Sequence, residues 1–197
     1  VSGGVSLYPP GGRLQMVAST IEPVGEGAAR AALLKLRRKL EKEGLFAEER
    51  KIPLPFLPRI IALVTSPSGA AVQDMVRTIH GRFPPVDLLV VPSRVQGEGA
   101  AFELAGAVQL ADEAGLADVI ILGRGGGSAE DLAAFNTEMV ARAVADCRTA
   151  IVSAVGHEVD LSLCDLAADR RALTPTDAGR IVVPDIRELL EELDIAA

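Results

Sequence analysis

The sequence predicts an α/β protein: an open, mostly parallel β-sheet with helices on both faces, plus a remnant N-terminal strand and a C-terminal helix. Three observations carry this. Aliphatic runs of strand length recur at Ile60–Thr65, Val86–Val91, Asp118–Leu122 and Ala150–Val155. Between them lie stretches with apolar residues at helical spacing. Continuous rather than alternating apolarity means strands buried on both faces, as in parallel sheets covered by helices.

Leu14–Ser19 alternates weakly, as a strand does, between glycine- and proline-rich clusters at Gly3-Gly4 and Pro9–Gly12 that read as loops or a junction. One strand cannot bury itself, so its sheet is expected elsewhere. Ala28–Gly44 is a helix with Ala29, Leu33, Leu36 and Leu40 on one stripe and Gly44 as its stop. Lys35, Arg37, Arg38, Lys39 and Lys42 crowd its other faces, a basic surface that is usually only solvated. Leu45–Pro58 is a proline-punctuated linker. The alternating pattern then runs as strand Ile60–Thr65, turn Ser66–Gly69, helix Ala70–Gly81, strand Val86–Val91, helix Ala100–Gly115 and strand Asp118–Leu122. It continues through a helix-like opening at Ser128, a helix within Thr137–Asp146, strand Ala150–Val155 and a helix over Leu161–Ala168. Ile186, Leu189, Leu190 and Leu193 mark a last helical stripe. The expected organisation is therefore 1–27 as a remnant, 28–58 as basic helix and linker, 59–175 as the α/β core and 176–197 as the start of a helical region.

Apolar residues make up 49% of the 197, enough for a well-cored domain, and no apolar run is long enough to span a membrane. Aromatics are 3% with no Trp, which argues against stacking platforms as the main binding device. Cys147 and Cys164 show no metal-ligand spacing or disulfide framework, which fits a cytoplasmic location. The net charge of −7 hides an asymmetry: residues 1–99 balance at +4 and residues 100–197 at −11.

In a parallel sheet, ligands sit at the C-terminal strand edge, where the strand-to-helix loops gather. The richest loop is Gly123-Arg-Gly-Gly-Gly-Ser128. Glycines running into a helix N-terminus leave backbone N–H groups free for an anion, and Arg124 adds a fork that suits phosphate. Ser128 with Asp131 has capping-box spacing. The plain alternative is a tight, unoccupied turn. Gly156-His-Glu-Val-Asp160 follows another strand directly. His157 can transfer a proton near neutral pH, and Asp160 could orient its imidazole or cap the next helix. Asp74 lies opposite the apolar face of Val72, Met75, Val76, Ile79 and Phe83, where an ordinary solvated carboxylate is the simple reading. His80 reads as a surface residue.

Several motifs occur together in order: Val64-Thr-Ser-Pro-Ser-Gly-Ala-Ala71 with Asp74, Arg94-Val-Gln-Gly-Glu98, Gly123–Ser128 with Glu130-Asp-Leu132 and Phe135-Asn136, Ser153–Glu158 with Asp160, and Leu173-Thr-Pro-Thr176. With the linker Leu54-Pro-Phe-Leu-Pro58, this resembles the large subunits of exodeoxyribonuclease VII from about Leu14 to Leu193. The resemblance implies hydrolysis of single-stranded DNA from either end to short oligonucleotides. It also implies an N-terminal oligonucleotide-binding fold, here only its last strand, and a C-terminal helical region that binds a small subunit, here only its start.

By the same resemblance Asp74, Arg124, His157 and Asp160 are the essential residues. Phosphate or DNA contacts are expected from Ser66, Ser68, Gly69, Gly125, Gly126, Gly127 and Ser128. Arg124 and the glycine backbone would neutralise phosphate oxygens, His157 oriented by Asp160 would act as base or acid, and Asp74 would be the second proton-transfer group. Family members act without added metal, although Asp74 and Asp160 could bind Mg²⁺. A homodimer is compatible with this reading, since Asp74 could face a neighbour. Ala133 and Val159 depart from the family's bulky residue and Thr; the first change could loosen packing beside the glycine loop. The competing classes are a non-catalytic nucleotide- or phosphate-binding module and an assembly scaffold.

Overall fold

The computed structural model describes residues 2–8, 13–20, 26–125, 129–156 and 161–196. The chain divides into two compact units, Val1–Lys39 and Leu40–Ala197.

In the first unit, β1 (Ser2–Tyr8) pairs antiparallel with β2 (Arg13–Thr20), with Leu7 opposite Leu14 and Gly4 opposite Val17. The Gly3-Gly4 stretch expected as a loop is therefore strand, and the strand at Leu14–Ser19 has a partner in this chain. Glycines carry no side-chain alternation to read, yet their main chain still pairs. Helix α1 (Glu26–Lys42) begins in this unit and ends in the second, in a Schellman motif. Gly44 (φ 75°) donates to Glu41 O at 3.0 Å and Leu45 N to Leu40 O at 3.0 Å, with Leu40 and Leu45 both buried.

The second unit holds five parallel strands, β3 (Ile60–Thr65), β4 (Asp87–Pro92), β5 (Val119–Gly123), β6 (Ala150–Ala154) and β7 (Arg170–Arg171), in the order β4-β3-β5-β6-β7. The helices are α2 (Ala70–Arg82), α3 (Ala100–Ala114), α4 (Glu138–Ala145), α5 (Leu163–Ala167), α6 (Pro175–Val182) and α7 (Ile186–Ala196), with a 3-10 segment over Ala129–Asn136. The fold is the α/β class expected. Ile61, Leu63, Val119, Ile121 and Val152 pack against α2 and α6. Ala62, Val64, Ile120, Leu122 and Ile151, one residue out of step, pack against α3, α4 and α5. Two apolar faces per strand explain the unbroken aliphatic runs. Each fully buried Ile or Leu contributes about 1.5–3 kcal/mol.

Three local features differ from expectation. Strand β7 was not anticipated. Helix α5 starts at Leu163 because Ser162 caps it in a reciprocal box with Asp165, so the cap assigned as one option to Asp160 belongs to Ser162. Ala133 is exposed, whereas Leu132, Ala134 and Phe135 do the packing there, so a small residue at 133 does not loosen the core.

The linker is tied down rather than loose. Lys51 Nζ donates to the carbonyls of Leu166, Ala167 and Ala168 at 2.7–2.9 Å, closing the C-terminus of α5. Burial lowers the pKa of this ammonium, against the pull of Asp169 and Glu48. Asp169 accepts from Ile52 N (2.8 Å) and Ile151 N (2.7 Å), joining the linker to β6.

Candidate active site

The order in which strands are added reverses between β3 and β5: the chain moves outward to β4 on one side and to β6 and β7 on the other. A crevice forms outside the C-terminal strand ends at such a switch point. The loops leaving β3 and β5 flank it.

The first of these loops carries Ser66, Ser68 and Gly69. Gly69 N donates to Ser66 O at 3.2 Å, a tight turn that delivers the chain to α2. Gly69 is the N-cap residue, and no side chain caps the helix there. The positive dipole end of this 13-residue helix lies just after the C-terminal end of β3, with no side-chain cap among the described residues. Ser66 is half-buried and Ser68 exposed.

The second loop meets the first. A Cβ added at Gly125 would lie 3.8 Å from Ala71 N, which places the start of the glycine loop against the first turn of α2. Behind it, a Cβ at Gly123 would lie 3.4 Å from the Met75 thioether. Arg124, between them, is 4% exposed. Its N–H donates to Ala154 O (3.3 Å) and its Nε to Val155 O (3.2 Å), both on the segment leaving β6. One arginine therefore ties the glycine loop to the loop that carries His157.

A buried carboxylate bridges the end of β6 and the start of α5. Asp165 accepts from Ser153 Oγ at 2.7 Å on the entry side, and from Ser162 N (2.9 Å) and Oγ (2.7 Å) on the exit side. Asn136 Oδ1 accepts from Leu163 N at 3.0 Å, adding the 3-10 segment to the frame. Asp165 was not singled out from sequence; its available signal was the Ser162-x-x-Asp165 capping spacing. Thr65 was also missed. It ends β3, is 1% exposed, and its hydroxyl has no hydrogen-bond partner among the described residues.

Of the expected catalytic residues, Arg124 is buried just past the end of β5 and bonded to the carbonyls of Ala154 and Val155. Asp74 lies half-buried one turn into α2 and makes no hydrogen bond or ion pair among the described residues. His157, Asp160, Gly126, Gly127 and Ser128 lie outside the described residues. The loop leaving β4 is occupied by its own ion pair: Arg94 Nε donates to Glu103 Oε1 at 2.8 Å, and hydrogen bonds from Arg94 hold the Glu103 carboxyl below its ordinary pKa. His80 is exposed, as expected. Burial pushes the Cys147 thiol up to about 12 and holds the Cys164 thiol well above its ordinary range, so neither is a thiolate nucleophile at neutral pH. Among the described residues no group of three or more His, Cys, Asp or Glu is placed to hold a metal ion, and no helix is long and apolar enough to cross a membrane.

The family model described as "Exonuclease VII, large subunit" matches residues 45–197. The chain is 53% identical over 191 residues to the exodeoxyribonuclease 7 large subunit of Moorella thermoacetica, covering 97% of this chain and 48% of that protein. It is 51% identical over 194 residues to that of Pseudomonas aeruginosa and 48% over 193 to that of Shouchella clausii, covering 98% of this chain and 42% of each relative. The chain thus spans less than half the length of these relatives.

Proposed function

The chain belongs to the exonuclease VII large-subunit family, and from this we propose that its parallel sheet is the catalytic core of a nuclease that hydrolyses phosphodiester bonds of single-stranded DNA from either end, releasing short oligonucleotides. The observation that supports it most is the meeting of Gly125 with the uncapped α2 N-terminus, beside a buried Arg124. Backbone N–H groups and a guanidinium on one crevice suit the non-bridging oxygens of a phosphodiester, where negative charge grows during attack by water. In this reading Arg124 and the backbone of Gly125, Gly126 and Gly127 neutralise that charge. Ser66, Ser68, Gly69 and Ser128 contribute further contacts. His157, oriented by Asp160, moves a proton as base or acid, and Asp74 is the second proton-transfer group. Asp165 acts through position, by bridging the end of β6 and the start of α5 on either side of His157. The reaction needs no bound cofactor in this scheme, and Mg²⁺ held by Asp74 and Asp160 is the alternative that an EDTA arm distinguishes. A small-subunit partner bound through a helical region beyond α7, and a cytoplasmic setting, complete the proposal.

The test uses the full-length protein with its small subunit and end-labelled single strands, with and without EDTA. His157→Ala should lower turnover about 10²–10⁴-fold with folding preserved, as removal of a general acid–base group does. Asp74→Asn, Arg124→Ala and Asp160→Asn should each lower it too. Near-normal turnover in His157→Ala overturns the assignment. Tight binding of the strand by wild type with no cleavage would favour a non-catalytic phosphate-binding module.

A further inference from the structure

A second cationic hollow lies at the opposite edge of the sheet. Its cavity, about 650 Å³, is bounded by the linker at Pro53–Phe56, the start of β7 and the ends of α2 and α6. All these boundaries belong to the N-terminal ends of the strands: Asp169 is hydrogen-bonded to Ile151 N at the start of β6, and Arg82 and Val183 follow the two helices down from the crevice. At about 3.3 Å per residue, the six-residue strand β3 puts roughly 20 Å between this edge and the catalytic one.

Four cations and two carboxylates line the cavity, a positive balance in a chain of net charge −7. The internal members are already satisfied. Lys51 spends its three protons on carbonyls, and Asp169 spends both oxygens on backbone amides. The guanidinia are not. Arg170 and Arg180 are exposed and make no hydrogen bond or ion pair among the described residues. Arg82 has a buried Nε with no hydrogen-bond partner among the described residues and a long ion pair, 3.5 Å, from Nη1 to Asp185. Three planar forks on one cavity suit phosphate oxygens. On the rim stands Phe56, 69% exposed. Phe135 is core, and Phe46 and Phe83 pack against the core; Phe56 and Phe102 belong to neither cluster, and of these two only Phe56 lines the cavity. Prolines on both sides of Leu54 restrain the segment that presents it. An aromatic face beside a cationic groove is the pairing that binds single-stranded nucleic acid, with phosphates on the forks and a base on the ring.

We propose that this hollow is a non-catalytic holding site for single-stranded DNA, with Arg82, Arg170 and Arg180 on consecutive phosphates and a base stacked on Phe56. The strand class rests on the function proposed above; the readout does not. Binding is measured by fluorescence anisotropy on the full chain, across a salt series, with labelled oligothymidylate and with an abasic sugar-phosphate strand of equal length, strand integrity being checked on gels. Arg170→Glu with Arg180→Glu should weaken both strands tenfold or more in low salt and reduce the steepness of log K against log salt by about 1.4, or about 0.7 per lost phosphate contact. Phe56→Ala should weaken oligothymidylate roughly fivefold or more and leave the abasic strand unchanged. A double variant with wild-type circular dichroism and melting that binds both strands as wild type overturns the site. Equal weakening of both strands by Phe56→Ala overturns the stacked base. Failure of the catalytic assignment alone would abolish none of these differences, because cleavage is not what is read.

Discussion

Asp112 joins two separate stretches of chain through one side chain. It sits in the last turns of α3 and accepts from Arg148 N (3.0 Å), Thr149 N (2.9 Å) and Thr149 Oγ1 (2.9 Å), just before β6 begins. Arg148 Nε adds a contact at 3.3 Å, but that arginine is 77% exposed and its share of the energy is small. Burial alone would raise the carboxyl's pKa; the hydrogen bonds from Thr149 and Arg148 together outweigh it and hold the group below its ordinary value. A carboxyl with a depressed folded pKa contributes stability that is present above its unfolded value, near 3.9, and is lost as pH falls through the folded one. Asp112→Ala should therefore cost about 1–3 kcal/mol at pH 7, by leaving two backbone donors without their acceptor. The gap in melting temperature between variant and wild type should narrow below about pH 4. A gap that stays constant from pH 7 to pH 3 would show that the ionised form is not what matters.

Glycine has opposite meanings on two helices of this fold. Gly179 lies in α6 where that helix crosses α2: a Cβ there would come 3.0 Å from Thr78 Cβ and Cγ2 and 3.3 Å from Ile79 Cγ1. Neither Thr78 nor Ile79 is a flexible chain end, so the helices would have to separate. Gly106, in α3, would meet nothing within 4 Å. Gly106→Ala should stabilise by about 0.5–1 kcal/mol through helix propensity. Gly179→Ala should lose that gain to overpacking and destabilise by about 1–2 kcal/mol net; urea midpoints of the two variants moving in the same direction would contradict this. The same contrast explains what was legible in the sequence. Strand β3 was read to the residue because Ile60–Val64 is one aliphatic run buried on both faces. The pair Arg170-Arg171 has no apolar pattern at all, and its strand exists only because β6 offers an edge. Helix α6, at the start of the expected helical region, carried a usable signal in Thr174 as N-cap with Pro175 and Asp177 behind it. At the site, glycine spacing pointed to the loop at Arg124. That Arg124 bonds the segment leaving β6 depends on strand order, which no local pattern encodes.

The chain as a whole divides unevenly between its two units. Among the described residues, both core clusters are drawn from Phe46 to Val183, so the second unit closes its own interior. The first unit contributes a two-stranded hairpin, which alone is marginally stable in water, and most of α1. It also carries six of the 20 Lys and Arg residues, against two carboxylates. Stability and charge should therefore separate when the chain is cut at the unit boundary. A fragment beginning at Leu40 keeps the Schellman pair Leu40 and Leu45 and the linker clasp of Lys51 on α5. It should melt cooperatively within about 4 °C of the whole chain, the shift expected for a loss of no more than about 1 kcal/mol in a domain this size. Its net charge, however, becomes −11, and association with a polyanion slows as the attracting charges are removed. Oligothymidylate should accordingly bind the fragment more slowly at low salt, with the difference fading as salt screens both proteins. Calorimetry and stopped-flow binding on the same preparation read the two effects independently. A fragment that melts broadly or far below the whole chain would mean that the first unit supports the fold rather than only its charge.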